Sequence, residues 1–288
     1  MKPFTYIVAM SVPEAVAALH EHGPGARVLA GGTDLLVEWR HPGSRMPGVV
    51  VDISRIDALR GISLDGRGVV LGPLTTHAEI VRSGVIRAEA PFLASAAFSI
   101  GSPQIRNRGT LGGNIMNGAA CADTVPPLIA LGATVTLSSV GGSHECHLSG
   151  FYNKPYTTAA TPEELLTQVR FPALPRGAKC AFLKLGRRNA LSISRLSVAA
   201  VVAVDESGVV SDARIVPGAA QTVWKRAMEA EKILIGNPPS DTLFAEAGHV
   251  VSEILIRETG RRWSTEYKEP VIAALVRRAL EHCFAVND

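Results

Sequence analysis

Residues 100–123 decide how this sequence is interpreted, and they read IGSPQIRNRGTLGGNIMNGAACAD. They contain the pentapeptide Thr110, Leu111, Gly112, Gly113 and Asn114. Because glycine has no Cβ, two consecutive glycines let the backbone turn sharply and approach a ligand closely. Their successive N–H groups then form a concave anion site that suits a diphosphate. The Asn114 side chain can donate and accept hydrogen bonds, which suits a hydroxyl or a phosphate oxygen.

Another Gly-Gly pentapeptide occurs earlier in the chain, directly after a short apolar strand. Its residues are Ala30, Gly31, Gly32, Thr33 and Asp34. Two such segments in one domain, the first at 30–34 and the second at 110–114, can hold one diphosphate from two sides, but an ordinary tight turn also explains the first segment by itself. Neither segment matches GxGxxG or GxxxxGK[ST], so neither a Rossmann dinucleotide site nor a Walker A loop is supported.

The composition indicates a folded chain with a large interior. The sequence has 288 residues, of which 47% are hydrophobic, and its net charge is +3. This apolar content excludes intrinsic disorder, and so small a charge does not indicate nucleic-acid binding. No stretch approaches the ~20 apolar residues of a membrane-spanning helix, and Met1–Met10 lacks the pattern of a signal peptide. We therefore expect a cytoplasmic protein whose apolar surface is covered by a cofactor or by partner chains.

The sequence predicts no metal site. The four cysteines are far apart, and there is no CxxC motif, which argues against zinc or an iron–sulfur cluster within this chain. The segment His144-Glu145-Cys146-His147 contains ligand-type side chains but has no matching second half. Its alternating pattern favours a strand at the edge of a sheet.

Turn and cap signals divide the chain into three parts. Residues 1–57 have the pattern of a small βαββ-like unit, whose helix begins at Ser11-Val12-Pro13-Glu14. Residues 58–176 contain further strands and short helices around the glycine-rich stretch, with a helical turn predicted over Pro162–Leu166. A cluster of proline and glycine over residues 172–177 then indicates a linker.

The third part, residues 177–288, begins with strands and ends with helices. Two strands over Ser197–Val204 and Val209–Val216 are joined by Asp205-Glu206-Ser207-Gly208, which is typical of a hairpin. Helical periodicity follows over Val223–Ile235, Asp241–Ile256 and Glu269–Phe284. Strands followed by helices indicate an α+β domain.

Together these motifs resemble the FAD-binding medium subunit of the molybdenum hydroxylases, the xanthine dehydrogenase and carbon monoxide dehydrogenase family. The 100–123 stretch is the most specific match, and the resemblance covers nearly the whole chain. Supporting matches are AGGTDL at 30–35, VDIS at 51–54, GPLTTHAEI at 72–80, FLKLGRR at 182–188 and SIS at 192–194.

The resemblance implies an α+β fold of two domains. Residues 1–176 would form a two-lobed FAD-binding domain of the vanillyl-alcohol-oxidase type, with lobes over about 1–57 and 58–176. Residues 177–288 would form a smaller C-terminal flavoprotein domain with an antiparallel sheet and a three-helix bundle.

The resemblance also implies which residues bind FAD. The two Gly-Gly pentapeptides match the family's two FAD loops, which hold the diphosphate. Asp123 matches a family carboxylate that contacts FAD. Leu165 matches an aliphatic position near the flavin, and Lys184 matches a position beside the flavin ring system. For Lys184, a lysine whose stem packs on the domain seam is an equal alternative. The FAD would be noncovalent, and the chain itself would supply no catalytic residue and no metal ligand.

The chain departs from the family at one place. Some members have an aspartate–tyrosine pair with the tyrosine against the flavin, where this chain has Leu191 and Ser192. Tyr152 and Tyr156 are candidates for that aromatic role, although each is more simply a loop aromatic. The sequence therefore leaves open which residue covers the flavin.

His77 has two interpretations. An imidazole can act as a proton shuttle near physiological pH. However, Thr76 is a good N-cap residue, which would place His77 in the first turn of a helix. The pattern favours the structural interpretation.

The function implied by the resemblance is electron transfer. The molybdenum cofactor would lie on a large partner subunit and the [2Fe–2S] clusters on a small one, from which electrons pass through the FAD of this chain to NAD+ or another acceptor. A stand-alone FAD oxidase of the same fold is the main alternative, but the C-terminal part shows no sequence cluster of His, Tyr or Arg for its substrate. The intact Gly-Gly segments and Asp123 argue against a third possibility, a non-enzymatic cofactor-binding or assembly protein.

Overall fold

The N-terminal lobe is a small parallel sheet with a helix packed on it. The computed structural model describes residues 4–188, 191–261 and 263–284. Its first elements are β1 (Thr5–Val8), α1 (Val12–His22), β2 (Ala26–Leu29), α2 (Leu35–Glu38) and β3 (Val49–Asp52). Strand β3 lies between β1 and β2, and both pairs are parallel. Ser11 caps α1 by accepting the Glu14 N–H, as the sequence predicted.

The second lobe is built around a five-stranded antiparallel sheet with the order β4-β5-β10-β6-β7. Its strands are β4 (Ile62–Asp65), β5 (Gly68–Leu71), β6 (Thr134–Ser139), β7 (Gly142–His147) and β10 (Leu165–Phe171), beside a small pair formed by β8 (Tyr152–Lys154) and β9 (Thr157–Thr158). Its helices are α3 (His77–Arg82), α4 (Gly84–Glu89), α5 (Pro91–Phe98), α6 (Pro103–Arg106), α7 (Leu111–Asn117) and α8 (Val125–Ala130).

Two local predictions in this lobe have different outcomes. The segment His144–His147 lies in β7 at the edge of the sheet, so the strand prediction is confirmed. The helical turn predicted over Pro162–Leu166 is wrong, because Leu165 already belongs to the central strand β10. Glu164 accepts the Thr161 N–H through its side chain, which stabilises a short turn there instead. Among the described residues, no group of His, Cys, Asp and Glu could hold a metal ion.

The C-terminal part is a three-stranded antiparallel sheet followed by three helices. Its elements are β11 (Lys179–Leu185), β12 (Leu196–Val204), β13 (Val210–Gly218), α9 (Met228–Leu234), α10 (Asp241–Thr259) and α11 (Thr265–Phe284). The sequence pattern predicted the β12–β13 hairpin and the three helices but missed β11. The helix predicted over Val223–Ile235 begins only at Met228. The Ala227 N–H donates to the Ile215 carbonyl, and this bond holds the preceding segment against β13.

The C-terminal sheet is buried on both faces. Val198, Ala200 and Val202 of β12 pack in one core with the helices α9–α11. Ala199 and Val201, which point the other way, belong to the core of the second lobe. Burial of both faces explains why Leu196–Ala203 has no polar alternation. The apolar interior is therefore continuous from the second lobe into the C-terminal part. The domain boundary near residue 176 stays a prediction. Residues 285–288 of the predicted C-terminal domain lie outside the described part of the chain.

None of the described helices combines the length and the apolar character that a membrane crossing requires.

Candidate cofactor-binding site

The two Gly-Gly segments come from different lobes and meet in space. Gly31 lies so close to the residues just before the second segment that a Cβ on it would stand 2.0 Å from the Arg108 carbonyl oxygen. A Cβ on Gly109 would likewise stand 3.4 Å from the Thr33 hydroxyl. Only glycine permits this approach of one backbone to another. The structure thus brings together the two segments that the sequence predicted to share a ligand.

The first segment has backbone donors that none of the described residues accepts. It follows β2 and turns through Gly32, whose φ of +73° lies in the left-handed region. The carbonyl of Gly32 accepts the Leu36 N–H, so this backbone acceptor of the turn already has its hydrogen bond. In the described part of the chain, the N–H groups of Gly31, Gly32, Thr33 and Asp34 donate to no acceptor. Adjacent unused amides of this kind favour an anion.

The second segment is different, because its first amides are already bonded. The Leu111 N–H donates to the Thr75 carbonyl at 2.9 Å, and the Gly112 N–H donates to the Pro73 carbonyl at 2.8 Å. A Cβ on Gly112 would stand 2.5 Å from the Pro73 Cβ. The interpretation of Gly112 as part of an open amide nest is therefore wrong; this glycine lets the segment pack against Pro73.

The rest of the second segment begins a helix. Thr110 is the N-cap of α7, and its hydroxyl accepts the Gly113 N–H at 3.1 Å. The Asn114 N–H donates to the Thr110 carbonyl, and the Asn114 carboxamide oxygen accepts the Thr124 hydroxyl at 2.7 Å. The sequence suggested a loop here, whereas the threonine is typical of a helix start. The Asn114 amide nitrogen makes no hydrogen bond within the described residues, so it remains a donor for a ligand.

Asp123 and Lys184 form a buried ion pair across the seam between the second lobe and β11. The Lys184 ammonium donates to Asp123 Oδ2 at 2.7 Å and to the Ser99 carbonyl at 2.9 Å. The Ser194 hydroxyl donates to the other oxygen of Asp123. Burial raises the pKa of Asp123, while Lys184 and the hydroxyls act against that rise. Sequence reasoning named both charged residues but missed their pairing and the roles of Ser99 and Ser194.

Comparison with known proteins identifies the family. A family model described as the FAD-binding domain in molybdopterin dehydrogenase matches residues 2–174, and one described as the CO dehydrogenase flavoprotein C-terminal domain matches residues 181–283. The chain belongs to the FAD-binding subunits of the molybdenum hydroxylases. The family and the α+β fold predicted from the sequence are thereby confirmed, and this flavoprotein subunit is part of an oxidoreductase.

Relatives match the flavoprotein subunit over nearly its whole length. The alpha subunit of the 6-hydroxypseudooxynicotine dehydrogenase complex of Paenarthrobacter nicotinovorans is 35% identical over 282 residues, which are 97% of this chain and 95% of that protein. The carbon monoxide dehydrogenase medium chain of Hydrogenophaga pseudoflava is 32% identical over 284 residues, covering 98% and 97%. A solved structure of that organism's carbon monoxide dehydrogenase, lacking the Mo-pyranopterin moiety, matches with a TM-score of 0.92 at 32% identity, covering 99% of both chains.

Leu165 lies in the interior of the N-terminal lobe. It is 2% exposed and belongs to the core of the N-terminal lobe, in which Leu74 is also buried. Ala30 packs against the same core. In the flavoprotein subunit Leu165 and Ala30 thus belong to one core, and the contact of Leu165 with the flavin stays a prediction.

Leu191 and Ser192, where the resemblance implied a departure from the family, present an aliphatic side chain and a hydroxyl. Leu191 is 52% exposed and has a φ of +53°, while the Ser192 hydroxyl accepts the Arg187 N–H. Tyr152 is buried and its hydroxyl donates to the Ile115 carbonyl, so it packs in the core. The described residues around Leu191, 186–188 and 191–195, include no aromatic ring.

His77 is structural. Thr76 caps α3 in a capping box with Glu79, as the sequence predicted for the cap residue. The His77 ring is 3% exposed, and its Nδ1 has no hydrogen-bond partner in the described part of the chain. Burial, with a smaller contribution from the Arg106 charge, lowers the pKa of His77 to about 4. A neutral ring packed under Gly109 does not suit a proton shuttle at neutral pH.

The pKa of His77 predicts an acid-sensitive fold. Since its pKa falls from 6.5 to about 4 on folding, the unfolded chain takes up this proton first as the pH drops. The free energy of unfolding should decrease between pH 6.5 and 4, by about 2 kcal/mol at pH 5 relative to pH 8 from this residue alone. Urea unfolding of the FAD-saturated chain at several pH values measures it. The His77→Gln variant should lose this part of the slope; an unchanged slope would contradict the assignment.

Proposed function

We propose that this subunit holds FAD noncovalently between its two Gly-Gly segments and passes electrons from the [2Fe–2S] clusters of a small partner subunit to NAD+ or another acceptor. Substrate oxidation then takes place at a molybdenum cofactor on a large partner subunit. Membership in the family supports the role as the FAD subunit of such a complex. A cytoplasmic location stays part of this proposal.

The observation that supports FAD binding best is the set of unused amides at Gly31–Asp34. Four backbone donors of one turn lack an acceptor in the described chain, directly beside the Arg108–Gly109 backbone of the other lobe. A diphosphate supplies the negative oxygen atoms that such donors need. We assign the diphosphate to this turn, with the Thr33 hydroxyl and the Asn114 carboxamide as further donors. Thr110, Leu111, Gly112 and Gly113 shape the opposite wall through the cap of α7 and its contact with Pro73.

Asp123 and Lys184 are assigned to the flavin end of the site. Lys184 has three N–H donors, of which Asp123 and Ser99 use two in the described structure. The third remains for a ligand, and the carboxylate of Asp123 fixes the direction of the ammonium group. When bound, FAD supplies both hydride and one-electron chemistry. The residues of this chain only bind and orient it, so none is required as a general acid or base.

Flavin reconstitution tests the proposal. We expect the purified chain to bind FAD with a visible flavin spectrum and to release all of it on acid denaturation. FMN, which lacks the diphosphate, should bind at least about 100-fold more weakly, because two charge-assisted hydrogen bonds of about 1.5–3 kcal/mol are lost. Absence of flavin absorbance after incubation with FAD would refute the binding site. Oxidation of an aldehyde or a purine by the chain without partner subunits would favour the stand-alone oxidase.

A further inference from the structure

Ser194 is a buried serine of the C-terminal part whose side chain reaches across the seam to the second lobe. Its hydroxyl donates to Asp123 Oδ1, while the Lys184 ammonium donates to the other carboxylate oxygen, Oδ2. Ser194 and Asp123 are only 7% and 4% exposed. No local sequence pattern indicated this contact, because the two residues are 71 positions apart along the chain.

The nearby hydroxyl of Ser99 does not duplicate the hydrogen bond from Ser194. The Ser99 oxygen lies 3.4 Å from Asp123 Oδ2 but only 2.7 Å from the Ala96 carbonyl oxygen. Since a hydroxyl has a single proton to donate, the shorter contact indicates that this proton is directed at the Ala96 carbonyl. Among the described residues, Ser194 is therefore the one side chain besides Lys184 that makes a close hydrogen bond to the carboxylate.

The backbone that carries Ser194 is tied to the strand that carries Lys184. The N–H of Arg195 donates to the carbonyl of Leu185, the last residue of β11, at 2.8 Å. This bond holds Ser194 beside the end of that strand. The hydroxyl and the ammonium group that bind the carboxylate thus come from one part of the fold, whereas Asp123 belongs to the second lobe.

Hydrogen bonds to both of its oxygens fix the orientation of the Asp123 carboxylate. The last torsion of an aspartate side chain is broad and has no narrow minimum of its own, so hydrogen bonds must set it. Without Ser194, one oxygen of a buried carboxylate loses its donor, and the group turns to find another. Lys184 would follow this movement, because Asp123 and the Ser99 carbonyl are its hydrogen-bond partners in the described structure.

We propose that Ser194 is a positioning residue of the flavin end of the site: by fixing the Asp123 carboxylate, it fixes the direction in which Lys184 presents its remaining N–H to the flavin. This role rests on the proposed function, which assigns the ion pair to the flavin end. A positive charge held beside the flavin favours the reduced, more negative form of the cofactor, and it does so most strongly at a short, fixed distance in a buried site. Ser194 therefore raises the reduction potential of bound FAD by acting through Asp123 and Lys184.

The reduction potential of FAD bound to the full chain, measured by equilibration with redox dyes, tests the role of Ser194. Ser194→Ala should lower the ratio of the dissociation constants of oxidised and reduced FAD about tenfold, which lowers the potential by about 30 mV for a two-electron couple. Ser194→Thr keeps a hydroxyl and should restore most of the potential. In an Asp123→Asn background, Ser194→Ala should shift the potential much less, because the carboxylate through which the serine acts is absent.

A buried serine far from the site provides the control for a general loss of stability. Ser252 is 5% exposed, and its hydroxyl donates to the Glu269 carbonyl at 2.8 Å, between α10 and α11. Ser252→Ala also removes a buried hydrogen bond and should lower the free energy of unfolding. It should nevertheless leave the reduction potential of FAD unchanged.

The possible failures can be told apart. A Ser194→Ala variant that binds FAD with the wild-type potential would overturn the positioning role and leave the proposed function intact, whereas a wild-type chain without FAD would refute the proposed function itself. Equal shifts of the potential in the wild-type and Asp123→Asn backgrounds would also overturn the role. If Asp123→Asn does not fold, Ser194→Thr decides, because a potential as low as that of Ser194→Ala would show that the hydroxyl is not responsible.

Discussion

Replacing Gly31 by alanine is expected to lower the FAD affinity by about 100-fold or more. The new methyl carbon would stand 2.0 Å from the Arg108 carbonyl oxygen and 3.1 Å from the Gly109 Cα. Both neighbours are backbone atoms and cannot rotate away, so the two lobes must separate locally. This separation moves the unused amides of the first segment away from the second segment. Loss of two hydrogen bonds to a diphosphate, at about 1.5–3 kcal/mol each, gives the expected factor.

Matched glycine variants separate this effect from a general loss of stability. Gly25→Ala is the control, because a Cβ there meets nothing within 4 Å and the FAD affinity should not change. Gly109→Ala should have an intermediate effect, since its Cβ would stand 3.0 Å from the Ile105 carbonyl oxygen and 3.1 Å from the His77 ring. Titration with FAD gives the affinities, and urea unfolding of the apo chain gives the stabilities. Wild-type affinity in a folded Gly31→Ala variant would contradict the proposed site.

Breaking the Asp123–Lys184 pair is expected to give the largest loss of stability among single substitutions at the site. Asp123 and Lys184 have side-chain exposures of only 5% and 13%. Removal of one partner leaves the other charge buried without compensation, which costs about 3–5 kcal/mol. Lys184→Met should therefore lower the free energy of unfolding strongly. Asp123→Asn should lower it somewhat less, because the Lys184 ammonium group keeps its hydrogen bond to the Ser99 carbonyl.

A double-mutant cycle tests whether the pair acts as one unit. The Asp123→Asn/Lys184→Met variant should be more stable than the sum of the two single losses predicts, by at least about 1 kcal/mol. The exposed pair of Arg257 and Glu229 provides the control, since its side chains are 59% and 55% exposed and Arg257→Met should cost no more than about 1 kcal/mol. Strictly additive losses at Asp123 and Lys184 would contradict the pairing. FAD affinity measured on the same variants tests their assignment to the flavin end.

The sequence predicted those elements whose signals are local. Ser11 and Thr76 each cap the helix that they were expected to begin, because a side-chain oxygen two or three residues before an N–H needs no distant partner. The β12–β13 hairpin followed from its turn and from two strongly apolar strands. Strand β11 was missed because Lys179–Leu185 mixes charged and apolar residues and becomes a strand only by pairing with β12.

By itself, the sequence determined the family, the two Gly-Gly segments and the identity of the charged residues at the site, since these depend on which residues are present and in what order. Only the tertiary structure decided that Gly31 contacts Arg108, that Gly112 packs on Pro73, and that Lys184 is bonded to Asp123. Each of these is a contact between residues of different elements, so its geometry is set by how sheets and helices pack. The unused amides of the first segment were decided in the same way, because a backbone donor is known to lack a partner only when all of its neighbours are in place.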